Sequence, residues 1–170
     1  MRLTRGGWHL LALGVAAVAA VAAPFAVVWR MSLACADDIA AEEADVRTER
    51  TFTDADIDGV GDYTSVRWTV DYIGGCSAGR RPEARVYRAL FTLDEATVTT
   101  LTWDHDWLPV TPMTSAGPAD GDAIGPELMA YVPAGARWSM SVDLATADLG
   151  GYTGSLFLDP DDALAYARFW

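Results

Sequence analysis

A long apolar run near the start is the first pattern along the chain. Residues 8–29, WHLLALGVAAVAAVAAPFAVVW, contain one strongly polar side chain, His9, and about 20 apolar residues in a helix are enough to cross a bilayer. Trp8 and Trp29 stand at its two ends, where aromatic residues concentrate at membrane interfaces. The run therefore predicts a transmembrane helix, and residues 1–30 are interpreted as a membrane anchor or signal sequence.

The charges beside this run predict its orientation. Arg2 and Arg5 precede it and Arg30 follows it, and positive charge is retained on the cytoplasmic side. We therefore expect a single-pass protein of the cell membrane, with its N-terminus in the cytoplasm and its C-terminal domain outside. Secretion after signal cleavage is the alternative, since small-residue patterns occur at 20–22 and 34–36.

Alternation of apolar and polar residues predicts four strands in the rest of the chain. It is clearest where Val66, Trp68, Val70 and Tyr72 alternate with polar residues. The four predicted segments are 63–73, 84–93, 137–144 and 152–158. They predict a four-stranded, mostly antiparallel sheet, and the domain falls in the α+β class.

Two helices are predicted to follow the two strand pairs and to lie on one face of the sheet. Thr92 and Glu95 have the spacing of a capping box, which predicts a helix over 94–103. Asp159 followed by Pro160 is typical of a helix start and predicts a second helix over 160–169. The order strand, strand, helix would then occur twice, which suggests an internal ββα duplication.

The chain therefore divides into three predicted parts. Residues 1–30 are the anchor or signal sequence, residues 31–62 an acidic stalk or helix with an aspartate-rich loop, and residues 63–170 the extracytoplasmic α+β domain. Residues 104–127 hold several prolines and glycines without a clear period, and they predict a long loop within that domain.

Charge excludes one large class of partners. The chain has 24 acidic residues and 12 arginines; residues 31–170 have nine arginines against all 24 acidic residues, a formal charge of −15. Binding to nucleic acid needs a positive surface that neutralises phosphates. We therefore expect no nucleic-acid partner.

Cys35 and Cys76 are the only cysteines, and both follow the apolar run. Outside the cytoplasm disulfides persist, so the two are predicted to pair. Two free buried thiols and intermolecular pairing through Cys35 remain alternatives. The sequence SLAC at 32–35 also leaves lipidation of Cys35 open.

An aspartate-rich stretch lies just before the first strand. In DADIDGVGD, residues 54–62, carboxylates at positions 1, 3 and 5 precede a glycine at position 6, a spacing that wraps oxygen ligands around calcium. The candidate Ca²⁺ ligands are the side chains of Asp54, Asp56, Asp58 and Asp62 and the carbonyl of Val60. A solvated acidic turn is the alternative reading, because Asp and Gly favour turns.

The same nine residues resemble the calcium-binding repeats of thrombospondin type 3 domains, in which loops of the form Asp-x-Asp-x-Asp-Gly-Val-x-Asp recur. That resemblance implies calcium ligands at the four aspartates. Ser65 and Ile57 depart from the calcium-loop pattern. In overall layout the chain is similar to small exported proteins of unknown function from high-GC bacteria, which implies no substrate.

Two functional classes remain open from the sequence. The first is a membrane-anchored extracytoplasmic module that binds a protein or an envelope polymer and is stabilised by calcium. The second is a secreted or anchored hydrolase with a site around His105, which lies between Asp104 and Asp106 and is a residue type suited to general-base or metal chemistry. No Gly-x-Ser-x-Gly nucleophile motif accompanies that histidine.

Overall fold

The computed structural model describes the backbone of residues 5–56, 58–110, 124–141, 144, 148–149 and 152–170. Side chains are described at the same positions except 5–23, 55, 56, 58, 148 and 149. The chain divides into two units. The helical unit comprises Met1–Ala40 and Gly74–Pro82, and the sheet unit comprises Ala41–Ile73 and Glu83–Trp170.

The helical unit is built on α1, Arg5–Glu43, whose last three residues belong to the sheet unit. Alanine and leucine are strong helix formers, and Pro24 lies inside the helix. No helix in the described part of the chain has both the length and the apolarity to cross a bilayer. Most of the predicted transmembrane run, residues 8–23, has side chains outside that part.

The predicted disulfide is confirmed. Cys35 on α1 bonds to Cys76, with Cα atoms 6.1 Å apart. The loop that carries Cys76 also reaches α1 at Gly79, where φ is +77° and a β-carbon would lie 3.0 Å from Cβ of Met31. Only glycine adopts this conformation at low cost, so residue 79 permits the close approach of loop and helix.

Within the described residues, the sheet unit has six antiparallel strands in one hydrogen-bonded path. In chain order, strands β1 to β7 are Tyr63–Tyr72, Arg85–Leu93, Trp107–Pro109, Ser139–Ser141, Asp148–Leu149, Tyr152–Asp159 and Leu164–Phe169. The order of the six in the sheet is β1-β2-β7-β6-β4-β3, and the two-residue β5 pairs separately with β6. The α+β class and the antiparallel pairing are confirmed, but the predicted number of four strands is too small.

The predicted C-terminal helix is wrong, because residues 164–169 form β7 between β2 and β6. Asp159 does cap backbone donors, as the sequence suggested, but in a hairpin turn. Its Oδ1 accepts from the amides of Asp161 and Asp162 at 3.1 and 3.4 Å, and Ala163 completes the turn with φ of 52°. The second half therefore ends on a strand, and the ββα duplication is also wrong.

Helix α3, Glu95–Asp104, confirms the helix predicted over 94–103, although its cap differs from the prediction. The side chain of Asp94 accepts from the amide of Thr97 at 2.7 Å. Thr92, the predicted cap, lies in β2, where its hydroxyl accepts from Ser65 at 2.9 Å. The other short helices are α2, Thr51–Asp56, and α4, Pro126–Met129, with a 3₁₀ turn at Asp58–Val60.

Helices lie on both faces of the sheet, so the prediction of one covered face is wrong. Successive strand residues point to opposite faces, and they separate here into two buried clusters. One contains Phe91 and Phe169 with Leu101 of α3, and the other contains Leu90 and Tyr166 with Leu128 of α4. The central strands are consequently apolar on both faces.

Candidate binding cleft

Three aromatic rings from separate elements meet on one face of the sheet. Trp68 of β1 and Tyr87 of β2 lie on this face with Val70, which is directly opposite Tyr87 in the strand register. Phe52 of α2 packs on them, with ring centroids 5.0 Å from Trp68 and 4.8 Å from Tyr87. Because Trp68 is only 5% exposed and Val70 2%, these residues form an apolar floor.

One wall is the segment between α1 and α2, which pairs with the edge of the sheet. The amides and carbonyls of Arg47 and Trp68 exchange two hydrogen bonds, each 2.9 Å long. The pairing places the Arg47 guanidinium 4.8 Å from the centre of a Trp68 ring, within cation–π range. Position 47 is therefore held by both backbone and side chain.

Glu42 fixes the same guanidinium from the other side. Its Oε1 lies 3.0 Å from Nη2 of Arg47, and its Oε2 accepts from the Tyr72 hydroxyl at 3.0 Å. The side chains of Arg47 and Glu42 keep 21% and 27% of their exposure. This pair is therefore partly screened by solvent, and its main effect is to orient the charges of the wall.

Arg85 supplies a second cation at the rim, where Glu49 and Thr51 are also exposed. A hydrogen bond to the Tyr87 side chain is the largest cause that raises the pKa of Arg85, so this guanidinium keeps its charge. It also lies 5.2 Å from the centre of the Tyr72 ring. The indole of Trp68 donates to the Glu49 carbonyl at 3.2 Å, which holds the rim to the floor.

Together these residues enclose a cleft of about 510 Å³ in the sheet unit, a size typical of binding sites. An apolar floor with ionised groups around it can bury an apolar side chain of a ligand and pair the ligand's polar groups at the rim. The lining residues are Glu42, Arg47, Glu49, Thr51, Phe52, Trp68, Val70, Arg85 and Tyr87.

Asp54, the first predicted calcium ligand, already has other partners. Its Oδ1 accepts a short hydrogen bond from the Tyr63 hydroxyl and lies 3.3 Å from Nε of Arg50. The Tyr63 hydrogen bond is the main cause that lowers the pKa of Asp54. Thr53 completes the group with a 2.6 Å hydrogen bond to the same tyrosine hydroxyl. This oxygen of Asp54 would have to exchange partners to bind a cation.

Of the remaining predicted calcium ligands, only two have side chains within the described residues. The side chains of Asp56 and Asp58 lie outside the described residues; Asp62 is exposed, and Val60, in the 3₁₀ turn, is fully buried. Among the described side chains, no group of three or more histidines, cysteines, aspartates or glutamates is placed so that it could hold a metal ion. Calcium binding by residues 54–62 stays a prediction.

His105 lies at the C-terminal end of α3, two residues before Trp107, where β3 begins. Its ring packs edge-on against Trp107, with centroids 6.4 Å apart, and the Trp107 indole donates to the Leu101 carbonyl at 2.8 Å. Asp104 is exposed and Asp106 is exposed beside it. The geometry around His105 is that of a helix end packed on an edge strand.

Most of the cleft was not predicted from the sequence. Residues 31–62 were interpreted as an acidic stalk or helix with an aspartate-rich loop, yet Glu42, Arg47 and Glu49 build one wall of the cleft. Before the first strand, Phe52 gave the only usable signal, since a large aromatic residue in a polar stretch needs an apolar partner. The pairing of Arg47 with β1 has no local signature.

Comparisons with known proteins add no family. No protein-family model matches the chain, and searches of curated proteins and of solved structures give no match either. The function is therefore argued from the geometry of the described residues.

Proposed function

We propose that the protein is a membrane-anchored, extracytoplasmic binding module whose cleft accepts a segment of another polypeptide. The observation that carries this proposal is the aromatic floor of Phe52, Trp68 and Tyr87 beneath a rim of ionised groups. Binding sites for polypeptides combine a buried apolar centre with a polar rim.

The chemistry of the cleft favours a peptide over an envelope glycan. The Trp68 ring is covered by Arg47 and almost fully buried, so it offers no open face for stacking on a sugar. Cations and carboxylates both line the rim, with Arg85 and Glu49 exposed. A peptide can place an apolar side chain on the floor and pair an acidic residue with Arg85.

Two observations support the proposed location of the domain on the extracytoplasmic side of the membrane. Residues 8–29 have the composition of a bilayer-crossing segment with arginines before it. The Cys35–Cys76 disulfide is typical of a chain that folds in an oxidising compartment.

Site-specific photo-crosslinking tests the cleft directly. In its native cells, the full chain would carry p-benzoylphenylalanine in place of Thr51, on the rim, or of Thr100, an exposed residue of α3 outside the cleft. We expect a protein adduct from position 51 only, and its loss on Arg85→Glu. Equal adducts from both positions, or none from position 51, would contradict the proposal.

Calcium stabilisation is a separate part of the proposal with its own test. Ligand binding to the folded state alone raises the unfolding midpoint. Thermal unfolding of the full chain would be compared in EDTA and in millimolar Ca²⁺, with Asp56→Ala, Asp58→Ala as the matched variant. A rise in the parent that the variant lacks would support a calcium site, and equal midpoints would make the stretch an acidic turn.

A further inference from the structure

The helical unit has a charge opposite to that of the sheet unit. The sheet unit has seven arginines against 22 acidic residues, a formal charge of −15. In the helical unit the only acidic residues are Asp37 and Asp38. Arg30, Arg80 and Arg81 of this unit are all exposed. Positive charge is thus concentrated next to the predicted anchor.

The fold brings the chain neighbours of two of these arginines together. The loop of residues 74–82 is joined to α1 by the Cys35–Cys76 disulfide, and Gly79 contacts Met31. Arg30 precedes Met31 and Arg80 follows Gly79, so the two arginines flank this contact. Two hydrogen bonds between Ser77 and Arg80, 3.1 and 2.9 Å long, fix the turn that carries Arg80.

Apolar groups are exposed on the same unit. Phe25 is 73% exposed and Trp29 68%, unusually high values for large apolar side chains within one turn of each other. A hollow of about 160 Å³ lies beside the disulfide, lined by Trp29, Ser32, Leu33, Ala36 and Cys76. Its lining is almost entirely apolar, so it suits hydrocarbon better than water.

We propose that this face of the helical unit binds the anionic phospholipids of the membrane in which α1 is anchored. Arg30 and Arg80 pair with headgroup phosphates, and Trp29 with the adjoining hollow lies at the level of the glycerol and upper acyl groups. Arginine forms bidentate hydrogen bonds with phosphate, and tryptophan prefers the interface. The Cys35–Cys76 disulfide holds the Arg80 loop in place. The inference rests on the proposed anchor.

The charge of the sheet unit bears on the function of this contact. An anionic membrane surface repels a domain of charge −15, whereas Arg30 and Arg80 are attracted to that surface. The lipid contact would therefore set the end of α1 at the membrane surface. Asp37 lies seven residues beyond Arg30, about 10 Å along the helix, which leaves Asp37 and Asp38 farther from the headgroups than Arg30.

The test measures which lipids stay with the full chain. The protein would be reconstituted into bilayers of equal parts phosphatidylglycerol and phosphatidylcholine, solubilised in mild detergent, and its retained lipids counted by mass spectrometry. Each arginine near an anionic surface increases the binding constant for that surface about fivefold. We expect phosphatidylglycerol to be enriched, with the enrichment lost in Arg30→Gln, Arg80→Gln. Arg137→Gln, an exposed arginine of the sheet unit, is the control and should retain the enrichment.

Two further measurements test the role of the disulfide and distinguish a lipid headgroup from free phosphate as the ligand. Cys35→Ser, Cys76→Ser should lose part of the enrichment, because the Arg80 loop is released. Millimolar inorganic phosphate should not displace the lipid; displacement would assign the site to free phosphate and overturn the proposal. Retained lipids at the bulk ratio, or equal enrichment in the double arginine variant, would also overturn it.

A separate experiment tests whether the chain is anchored in the membrane. Extraction with alkaline carbonate leaves an inserted chain in the membrane and releases a peripheral one. If the chain is released, the anchor is wrong, and flotation with preformed vesicles then decides the inference. Flotation with phosphatidylglycerol but not phosphatidylcholine vesicles would support the lipid contact, and flotation with neither would overturn it.

Discussion

Gly154→Ala is the substitution that most sharply tests the C-terminal hairpin. Gly154 lies in β6 directly opposite Phe169 of β7. A β-carbon at this position would be 2.4 Å from the Arg168 carbonyl oxygen and 2.7 Å from Cβ of Phe169. Both distances are well inside van der Waals contact, and one of the neighbours is backbone.

The expected cost follows from that geometry. The strands must separate near the end of the hairpin, since the carbonyl of Arg168 cannot rotate away without losing its pairing. Overpacking costs about 1–3 kcal/mol, and we expect the upper half of that range because backbone must move. For a chain of this size, a loss of 2–3 kcal/mol corresponds to a fall in Tm of about 4–12 °C.

The assay is thermal unfolding of the full chain in detergent, followed by tryptophan fluorescence and far-UV circular dichroism. Gly75→Ala is the matched control: nothing lies within 4 Å of its would-be β-carbon, so its effect should be within about 0.5 kcal/mol. A parent-like Tm for Gly154→Ala would refute the β6–β7 pairing, because the helix predicted at 160–169 would leave position 154 uncrowded.

Three other perturbations follow from described contacts. Cys35→Ser, Cys76→Ser should lower the free energy of unfolding by about 4 kcal/mol, since the disulfide closes a loop with a sequence separation of 41; a parent-like urea midpoint in the variant and in the reduced parent would count against this. Asp159→Ala should lower the free energy of unfolding by about 2–4 kcal/mol, because the buried carboxylate also accepts from the Arg137 amide at 2.5 Å. Asp159→Asn keeps one acceptor oxygen and should lower it less. Equal losses of the two variants in urea unfolding would contradict the capping role. Tyr63→Phe should raise the pKa of Asp54, which the Tyr63 hydroxyl now lowers. A lowered pKa contributes stability above the unfolded-state pKa that disappears as pH falls through the folded-state value, so the variant's stability should depend less on acidic pH; an unchanged Asp54 titration by carboxyl NMR would show that the hydrogen bond has no such effect.

Local patterns were sufficient for the parts of the fold that depend on near neighbours. Strands β1 and β2 were predicted because one side of each is apolar while the other side includes polar residues, such as Arg67 in β1 and Arg88 in β2, which produces visible alternation. The disulfide was predicted because two cysteines beyond an apolar segment have few alternatives. Helix α3 was predicted through its helix-start residues, although the capping side chain belongs to Asp94.

The candidate cleft required distant parts of the chain. Glu42, Arg47 and Phe52 are separated from Tyr87 by 35 or more positions, and nothing local indicates that these segments meet. The aspartates of residues 54–62 show the same limit, because their spacing resembles a calcium loop while the structure pairs Asp54 with Tyr63 and Arg50.

By itself the sequence determined the membrane-type composition of residues 8–29, the disulfide pair, the acidic character of residues 31–170 and the half-buried strands, since each is encoded by composition or by a period along the chain. Only the tertiary structure decided that Leu164–Phe169 is a strand. In the middle of a sheet covered on both faces, a strand is buried on both sides and loses its alternation, while an Asp-Pro start suits a helix and a turn equally well. The neighbours β2 and β6 supply the hydrogen bonds that settle the choice.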